Sequence, residues 1–273
     1  MGVKTIHLIL ISVILPAFLI AQQDSMTFKT YEIDTIVYVQ NNPRMPKYEI
    51  GMSYLYPESF PDEDVLGTVR SYLAEYYGMD ANDPLNSLKD RLYKKVERYR
   101  NSEKYYIEEI EQALESYGTT LDSFYKGRDP KNWGSLNNRE FWQMEVVNQE
   151  NYILTISHYR SEYHGGVHPN SSSRYFVFDL RSGQRIKPAD IFIEGYEEPL
   201  TKIINNHIRT IYTDLEESFA VRPSSEILVK HEGLGFYYHD FICHAVGDHV
   251  FTISWEEIKH LLKNGNPLEE FCY

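Results

Sequence analysis

The residues with the clearest chemical potential in this sequence are three histidines that lie close to a pair of glycines. His158, His164 and His168 fall within eleven residues, and Glu162 lies among them. Imidazole nitrogen and carboxylate oxygen are both zinc ligands in proteins. Zinc ligands are more often spaced along a helix or paired with cysteines, however, and adjacent glycines break a helix. We therefore expect no metal or other cofactor, and the alternative function is a metal-dependent or carboxylate-based hydrolase that uses His164 and His168.

A second histidine series, His239, His244 and His249, has a spacing of five residues. Side chains along an extended strand alternate between its two faces, so His244 would point away from the other two. The three side chains cannot meet one ion without a turn. We assign no site to this series.

Nucleophilic catalysis has no recognisable motif in the sequence. The Gly-x-Ser-x-Gly turn of serine hydrolases is absent, and the glycine pair lacks the third glycine and the lysine of a phosphate-binding loop. The 40 acidic residues offer many carboxylate pairs, so no glycosidase-type pair stands out. These observations favour a protein that is not an enzyme.

The elements that must position these residues begin with alternating apolar side chains between Thr30 and Tyr54. A period of two, interrupted by a proline-bounded turn, predicts a β-hairpin. The apolar spacing then changes to a helical period that ends near Gly78, and residues 85–117 continue in helical register. Charged residues fill the remaining positions, which predicts helices with one face in solvent.

Strands and helices recur in blocks over the rest of the chain. We predict strands at Phe141–Val147, Tyr152–Tyr159, Arg174–Leu180, Ile227–Val229, Leu234–Tyr238 and His249–Ile253, and a helix at Pro199–Leu215. Ser254-Trp-Glu-Glu257 has the spacing of a capping box and predicts a closing helix. Blocks without strict alternation indicate the α+β class, with antiparallel sheets packed with helices.

Only two cysteines occur, Cys243 and Cys272. In an oxidising compartment they could form one disulfide that ties the C-terminal tail to a strand. We predict this pair, and two unpaired thiols remain the alternative.

The first 21 residues have the layout of a secretory signal peptide. Lys4 gives a basic start, an apolar stretch runs from Ile6 to Ile20, and Ala21 precedes polar residues. The stretch is shorter than the roughly 20 apolar residues of a membrane-spanning helix and contains Pro16. We expect cleavage after Ala21, no membrane insertion of the mature chain, and a periplasmic or secreted location.

The formal net charge of −13 bears on the class of partner. An acidic surface repels nucleic acid and attracts basic partners or cations. We therefore expect no nucleic-acid ligand.

Three segments near the centre of the chain carry a resemblance to a known family. They are, in order, Tyr163-His-Gly-Gly-Val-His168, Tyr175-Phe-Val-Phe-Asp-Leu-Arg-Ser-Gly183 and Ile186-Lys-Pro-Ala-Asp-Ile-Phe192. They are similar to the extracytoplasmic domain of RsiV-type anti-sigma factors and to the non-catalytic N-terminal region of PdaC-type peptidoglycan deacetylases. The resemblance covers nearly all of the mature chain, fits least well over residues 80–140, and departs at Ile242-Cys-His-Ala-Val-Gly247.

The resemblance implies a two-part α+β module behind the signal peptide at 1–21. Its halves would be residues 22–165, with a helical insertion near 80–140, and residues 166–273. It also implies a stand-alone, non-enzymatic binding module of the cell envelope. Because the anti-sigma members sense lysozyme, a basic protein, the expected partner is a lysozyme-like protein or a peptidoglycan fragment.

The resemblance also directs attention to the glycine-containing turn. We expect Tyr163, His164, Gly165, Gly166 and His168 to take part in recognition. The alternative is a fold-specific tight turn that positions two strands.

Overall fold

The computed structural model describes residues 25–116, 118, 120, 123, 137–165, 167–216, 219–239, 241 and 247–272. Its strands form a six-stranded sheet in the order β1-β2-β3-β4-β5-β6 and a three-stranded sheet in the order β7-β8-β9. The strands are β1 Thr27–Tyr38, β2 Lys47–Ser59, β3 Asn138–Glu150, β4 Ile153–Tyr163, β5 Asn170–Asp179, β6 Gln184–Arg185, β7 Ile227–Lys230, β8 Gly233–Tyr238 and β9 His249–Ser254. The helices are α1 Glu63–Tyr77, α2 Pro84–Asn101, α3 Glu103–Ser116, α4 Pro188–Ile191, α5 Glu197–Ile211 and α6 Trp255–Ile258. Short 3₁₀ turns occupy Val39–Asn41, Lys259–Leu261 and Glu269–Phe271.

The predicted N-terminal hairpin is confirmed, because β1 and β2 pair antiparallel from Thr27 to Tyr38. Gln40 and Asn41 have φ of 52° and 54° in the connection. Asparagine accepts this left-handed conformation more readily than most residues. The apolar side chains of one alternating set, such as Ile33 and Ile50, are buried.

Helices α1, α2 and α3 confirm the helical register predicted after the hairpin. Asp62 begins α1 by accepting hydrogen bonds from the backbone N–H groups of Asp64 and Val65, at 3.0 and 3.1 Å. This cap satisfies donors that have no partner within the helix. Gly78 ends the helix with φ of 60°. The apolar stripes of the three helices bury against one face of the six-stranded sheet.

The α+β class is confirmed, and one strand pair departs from the antiparallel pattern. Strand β3 pairs with β2 in parallel over Tyr48–Met52, whereas the other strand pairs are antiparallel. The long helical connection between β2 and β3 returns the chain to the same end of the sheet. A parallel pair requires such a crossover, whereas a hairpin can join only antiparallel strands.

The predicted boundary between residues 165 and 166 falls in the connection between β4 and β5. These two strands are antiparallel neighbours in the six-stranded sheet. The division into halves stays a prediction. Gly183, in the predicted turn after β5, has φ of 73°, and its N–H donates to the carbonyl of Asp179 at 2.7 Å.

A second core lies on the other side of the six-stranded sheet, around β7, β8, β9 and α5. It includes Ile153 and Val177, which point away from α1, α2 and α3. The predicted closing helix is confirmed, since the Ser254 N–H donates to Glu257 Oε2 at 3.2 Å. Both cores therefore use β4 and β5, through opposite faces.

The predicted signal peptide, residues 1–21, lies outside the described residues. Within the described part of the chain, no helix has the length and apolar character needed to cross a bilayer.

Candidate functional site

The structure places the glycine-containing turn at one end of the six-stranded sheet, in the connection from β4 to β5. Tyr163 is the last residue of β4, and Gly165 has φ of 93°. The side chains of His164 and His168 are exposed, while Gly166 lies outside the described residues. The turn joins two antiparallel neighbours, and its role in recognition stays a prediction.

Neither histidine series forms a ligand set in the part of the chain that the structure describes. Over those residues, no group of three or more His, Cys, Asp or Glu side chains is placed to hold a metal ion. His239 Nδ1 lies 2.7 Å from Asp248 Oδ1, and His249 Nδ1 lies 3.3 Å from the Tyr212 hydroxyl. His244 lies outside the described residues.

The predicted disulfide joins Cys243 to Cys272, and Cys243 lies outside the described residues. Cys272 is half-buried, and its thiol donates to the Leu268 carbonyl at 3.1 Å. Burial raises the pKa of the Cys272 thiol to about 11. The pairing stays a prediction.

A buried polar cluster lies where β2, β3 and β4 meet α2, around the carboxylate of Glu140. Only 3% of Glu140 is exposed. Its Oε2 accepts from the Tyr48 hydroxyl at 2.8 Å, and its Oε1 accepts from Lys95 Nζ at 2.5 Å and from Trp142 Nε1 at 3.3 Å. Arg160 adds a guanidinium nitrogen 3.6 Å from Oε1. The carboxylate therefore ties three strands to one helix.

Burial by itself raises the pKa of Glu140, but donors surround the carboxylate and reverse the effect. Hydrogen bonds from Lys95 and Tyr48 and the charge of Lys95 hold this pKa below its usual value. Burial is the main cause that raises the pKa of Tyr48, and the hydrogen bond to Glu140 raises it further. Glu140 is therefore a paired anion at neutral pH.

His158 lies on the same face of the sheet, in an enclosure of aromatic rings. Its ring centroid lies 4.8 Å from that of Tyr77 and 6.2 Å from those of Tyr76 and Trp142. Burial, with the nearby charge of Arg160 adding to it, lowers the pKa of His158 to about 4. Its Nε2 is buried without a hydrogen-bond partner among the described residues.

This polar cluster is poorly suited to proton transfer near neutral pH. A general base works best when its pKa lies near the operating pH. Glu140 is held as an anion by several donors, and His158 has a pKa of about 4. The arrangement instead joins elements of the fold.

The opposite face of β3 and β4 presents two exposed aromatic side chains. Phe141 and Tyr159 are 42% and 43% exposed. Phe141 lies opposite Ser161, and Gln143 lies opposite Tyr159, so the two rings occupy diagonal positions on one face. Side chains at diagonal positions on two paired strands are close enough to contact each other when they are large. We call Phe141, Gln143, Ser157, Tyr159 and Ser161 the platform.

Gly51 of β2 determines how the Phe141 ring packs on the sheet. A Cβ atom at Gly51 would lie 2.6 Å from Phe141 Cε1 and 2.7 Å from Cδ1. The ring thus occupies the space that a side chain on β2 would fill. The Arg139 guanidinium lies over the ring, 5.8 Å from its centroid, and 3.3 Å from Glu49 Oε2.

The three-stranded sheet borders the platform beyond β5. The Ser173 N–H donates to the Tyr237 hydroxyl oxygen at 2.9 Å, and that hydroxyl donates to Asp248 Oδ2 at 2.5 Å. The Tyr175 N–H donates to Glu226 Oε2 at 3.0 Å. These contacts satisfy outward-pointing donors of β5, which an edge strand would otherwise expose.

The solved structures that align with this chain include two bacterial proteins. A DUF3298 family member from Bacteroides fragilis superposes with a TM-score of 0.73 at 19% sequence identity, over 90% of this chain and 96% of that one. A DUF3298 protein from Pseudomonas aeruginosa PAO1 gives a TM-score of 0.49 at 13% identity, over 88% of this chain and 96% of that one. No protein-family model and no curated protein matches the sequence.

The chain has the fold of the Bacteroides fragilis DUF3298 protein. At this identity the likeness concerns the fold alone. The resemblance to RsiV-type and PdaC-type proteins stays a prediction, as does the function expected from it.

Sequence reasoning missed both the Glu140 cluster and the platform. The alternation of Glu140, Trp142 and Met144 with exposed residues was a usable signal, because it places a carboxylate in a buried set. Phe141 and Tyr159 gave no such signal, since aromatic residues are common in strands. Tyr163, which was predicted for recognition, shares the alternating set of β4 with Tyr159 and Ser161 and so lies on the platform's face.

Proposed function

We propose that the protein is an exported, non-enzymatic binding module of the cell envelope. The observation that carries this proposal is the platform, where two aromatic side chains remain exposed on a paired sheet face. The signal-like first 21 residues support the exported location. The poor fit of Glu140 and His158 to proton transfer supports a role without catalysis.

The platform suits binding because the sheet holds its rings in place. Strands β3 and β4 are paired along nearly their whole length, from Arg139 opposite Tyr163 to Glu150 opposite Ile153. Side chains on a rigid, paired surface lose less conformational freedom on binding than side chains on a free loop. The ligand therefore meets a surface that is already ordered.

The resemblance to RsiV-type and PdaC-type proteins suggests two classes of envelope ligand. A basic, lysozyme-like protein would be attracted by the net charge of −13. A peptidoglycan fragment would instead use the aromatic rings and their polar neighbours. The turn from Tyr163 to His168 adjoins the platform at the end of β4 and belongs to the proposed surface.

The test uses the mature chain, without residues 1–21, in two binding assays. Sedimentation with purified peptidoglycan sacculi reports glycan binding, and calorimetric titration with lysozyme reports protein binding. We expect saturable binding in at least one assay. The double variant His164→Ala/His168→Ala, checked for unchanged thermal stability, shows whether the turn takes part. If the folded mature chain binds neither ligand, the proposal is wrong.

A further inference from the structure

We infer that the platform binds a polysaccharide chain, with sugar rings stacked on Phe141 and Tyr159. This inference rests on the proposed function as a binding module and names the class of its ligand. The carbon-bound hydrogens of a hexose form a weakly positive, apolar face. The negative face of an aromatic ring attracts such hydrogens, and the sugar hydroxyl groups remain at the rim for hydrogen bonds.

The packing of Phe141 is the first observation in favour of a stacked sugar. Its ring fills the space above Gly51, where a Cβ atom would come within 2.6 Å. The side of the ring that faces Gly51 is covered, and 42% of the residue remains exposed. Arg139 lies over the ring at 5.8 Å from its centroid, and the part of the ring that stays exposed is available to a planar partner.

The surroundings of the rings are the second observation. Serines occupy the neighbouring positions of this face on β4 and β5, namely Ser157, Ser161, Ser171 and Ser173. Ser173 forms side-chain hydrogen bonds with Tyr175 and Tyr237 on the side of the three-stranded sheet, whereas Ser157 and Ser161 lie beside the two rings on β4. Small side chains leave room beside each ring, and hydroxyl groups both donate and accept, as sugar hydroxyl groups do.

Gln143 and the Tyr159 hydroxyl add further groups at the rim of the platform. The amide of Gln143 lies opposite Tyr159 and donates to Glu145 Oε1 at 2.5 Å, which orients it along β3. The Tyr159 hydroxyl has no hydrogen-bond partner among the described residues. A polar group next to an aromatic ring fixes the orientation of a stacked ligand.

Charge and area distinguish a glycan from a protein as the occupant. The five platform residues are uncharged, and the neighbouring carboxylates are already engaged: Glu145 accepts from Gln143, and Glu49 is paired with Lys47 and Arg139. A basic protein would therefore gain little from charge contacts at the platform. A stable protein interface also buries about 800 Å² on each partner around an apolar centre, whereas the platform offers only two rings with small polar neighbours. A neutral polymer needs only the line of rings and hydroxyl groups.

The test is a calorimetric titration of the mature chain with a soluble N-acetylglucosamine hexasaccharide, repeated with cellohexaose. We expect Phe141→Ala and Tyr159→Ala each to weaken binding about tenfold or more, because each variant removes one stacking surface. Tyr159→Phe keeps the ring and should weaken binding less than Tyr159→Ala. The matched control is Tyr93→Ala on α2, since Tyr93 is also exposed, at 54%, and lies away from the platform.

Gly51→Ala tests the stacking geometry while Phe141 stays in the chain. The added Cβ displaces the exposed ring, and we expect binding to weaken several-fold. Unchanged thermal stability and circular dichroism in each variant would exclude unfolding as the cause.

The outcomes separate this inference from the proposed function. If the wild type binds lysozyme or sacculi but neither oligosaccharide, or if both alanine variants bind oligosaccharide as the wild type does, the polysaccharide inference is wrong and the binding module stands. If the wild type binds none of these ligands, both proposals fail.

Discussion

The burial of His158 in the aromatic enclosure leads to a quantitative prediction for the stability of the protein at mildly acidic pH. His158 is 8% exposed, and its pKa in the folded protein is about 4. Three cations act on the His158 ring: Arg160 on β4, Arg91 on α2 and Arg174 on β5. The aromatic rings of Tyr76, Tyr77 and Trp142 enclose it. Each of these cations opposes the protonation of His158.

The sign follows from the pKa values of the two states. An unfolded histidine has a pKa of about 6.5, so between that value and about 4 the unfolded chain binds a proton that the folded chain does not. The stability from a neutral His158 is therefore fully present above pH 6.5 and falls as the pH drops towards 4. The loss from this one group is about 2 kcal/mol at pH 5 and about 3 kcal/mol at pH 4.

The assay is urea unfolding followed by tryptophan fluorescence at pH 7, 6 and 5. Other groups also titrate in this range, so the measured quantity is the difference in pH dependence between wild type and variants. His158→Phe keeps an aromatic ring at this position. His158→Gln keeps a polar group and serves as the second variant in case phenylalanine packs poorly. Both should remove about 2 kcal/mol of the loss between pH 7 and 5. The control His260→Gln, at an exposed position, should keep the wild-type profile.

Equal pH profiles for the wild type and a folded His158 variant would refute the reasoning. They would mean that His158 reaches water or a proton donor in the folded state. A nuclear magnetic resonance titration of the imidazole would then give a pKa near 6.5 instead of about 4.

Two further predictions concern the packing between sheet and helices. Glu140→Gln should lower the free energy of unfolding at pH 7 by about 3 kcal/mol in urea titrations, because it removes the charged partner of the largely buried Lys95 ammonium; a loss under about 1 kcal/mol would contradict the buried network. Gly183→Ala should cost clearly more than Gly195→Ala in thermal unfolding. Both glycines have positive φ, 73° and 78°, but a Cβ at Gly183 would lie 2.9 Å from Thr68 Cβ, whereas one at Gly195 meets nothing within 4 Å. Equal costs would show that α1 does not press on this turn.

Much of the fold could be predicted from periodicity and local signals. The alternation between Thr30 and Tyr54 predicted the hairpin, and Gly78 predicted the end of α1. Both signals depend only on residues that are close together in the sequence. The parallel pairing of β2 with β3 carries no local signal. It depends on where α1, α2 and α3 lead the chain, and the packing of those helices decides that.

The candidate site was harder to predict, for a related physical reason. The turn from Tyr163 to His168 stood out because adjacent glycines are rare, yet it joins two strands. The platform needs Gly51 beneath Phe141, a contact between strands distant in sequence. No pattern along β3 alone distinguishes a supported, exposed ring from an ordinary strand aromatic.

The position of Glu140 next to Phe141 links the two faces of the sheet. Successive residues of a strand point to opposite faces, so the buried network and the platform share the backbone of β3. Hydrogen bonds from Tyr48 on β2 and Lys95 on α2 hold Glu140 from inside. A strand held in this way keeps its outward ring in place, and under the proposed function this order would lower the entropy lost on binding. The buried network on one face of β3 thus supports the order of the side chains on the other face.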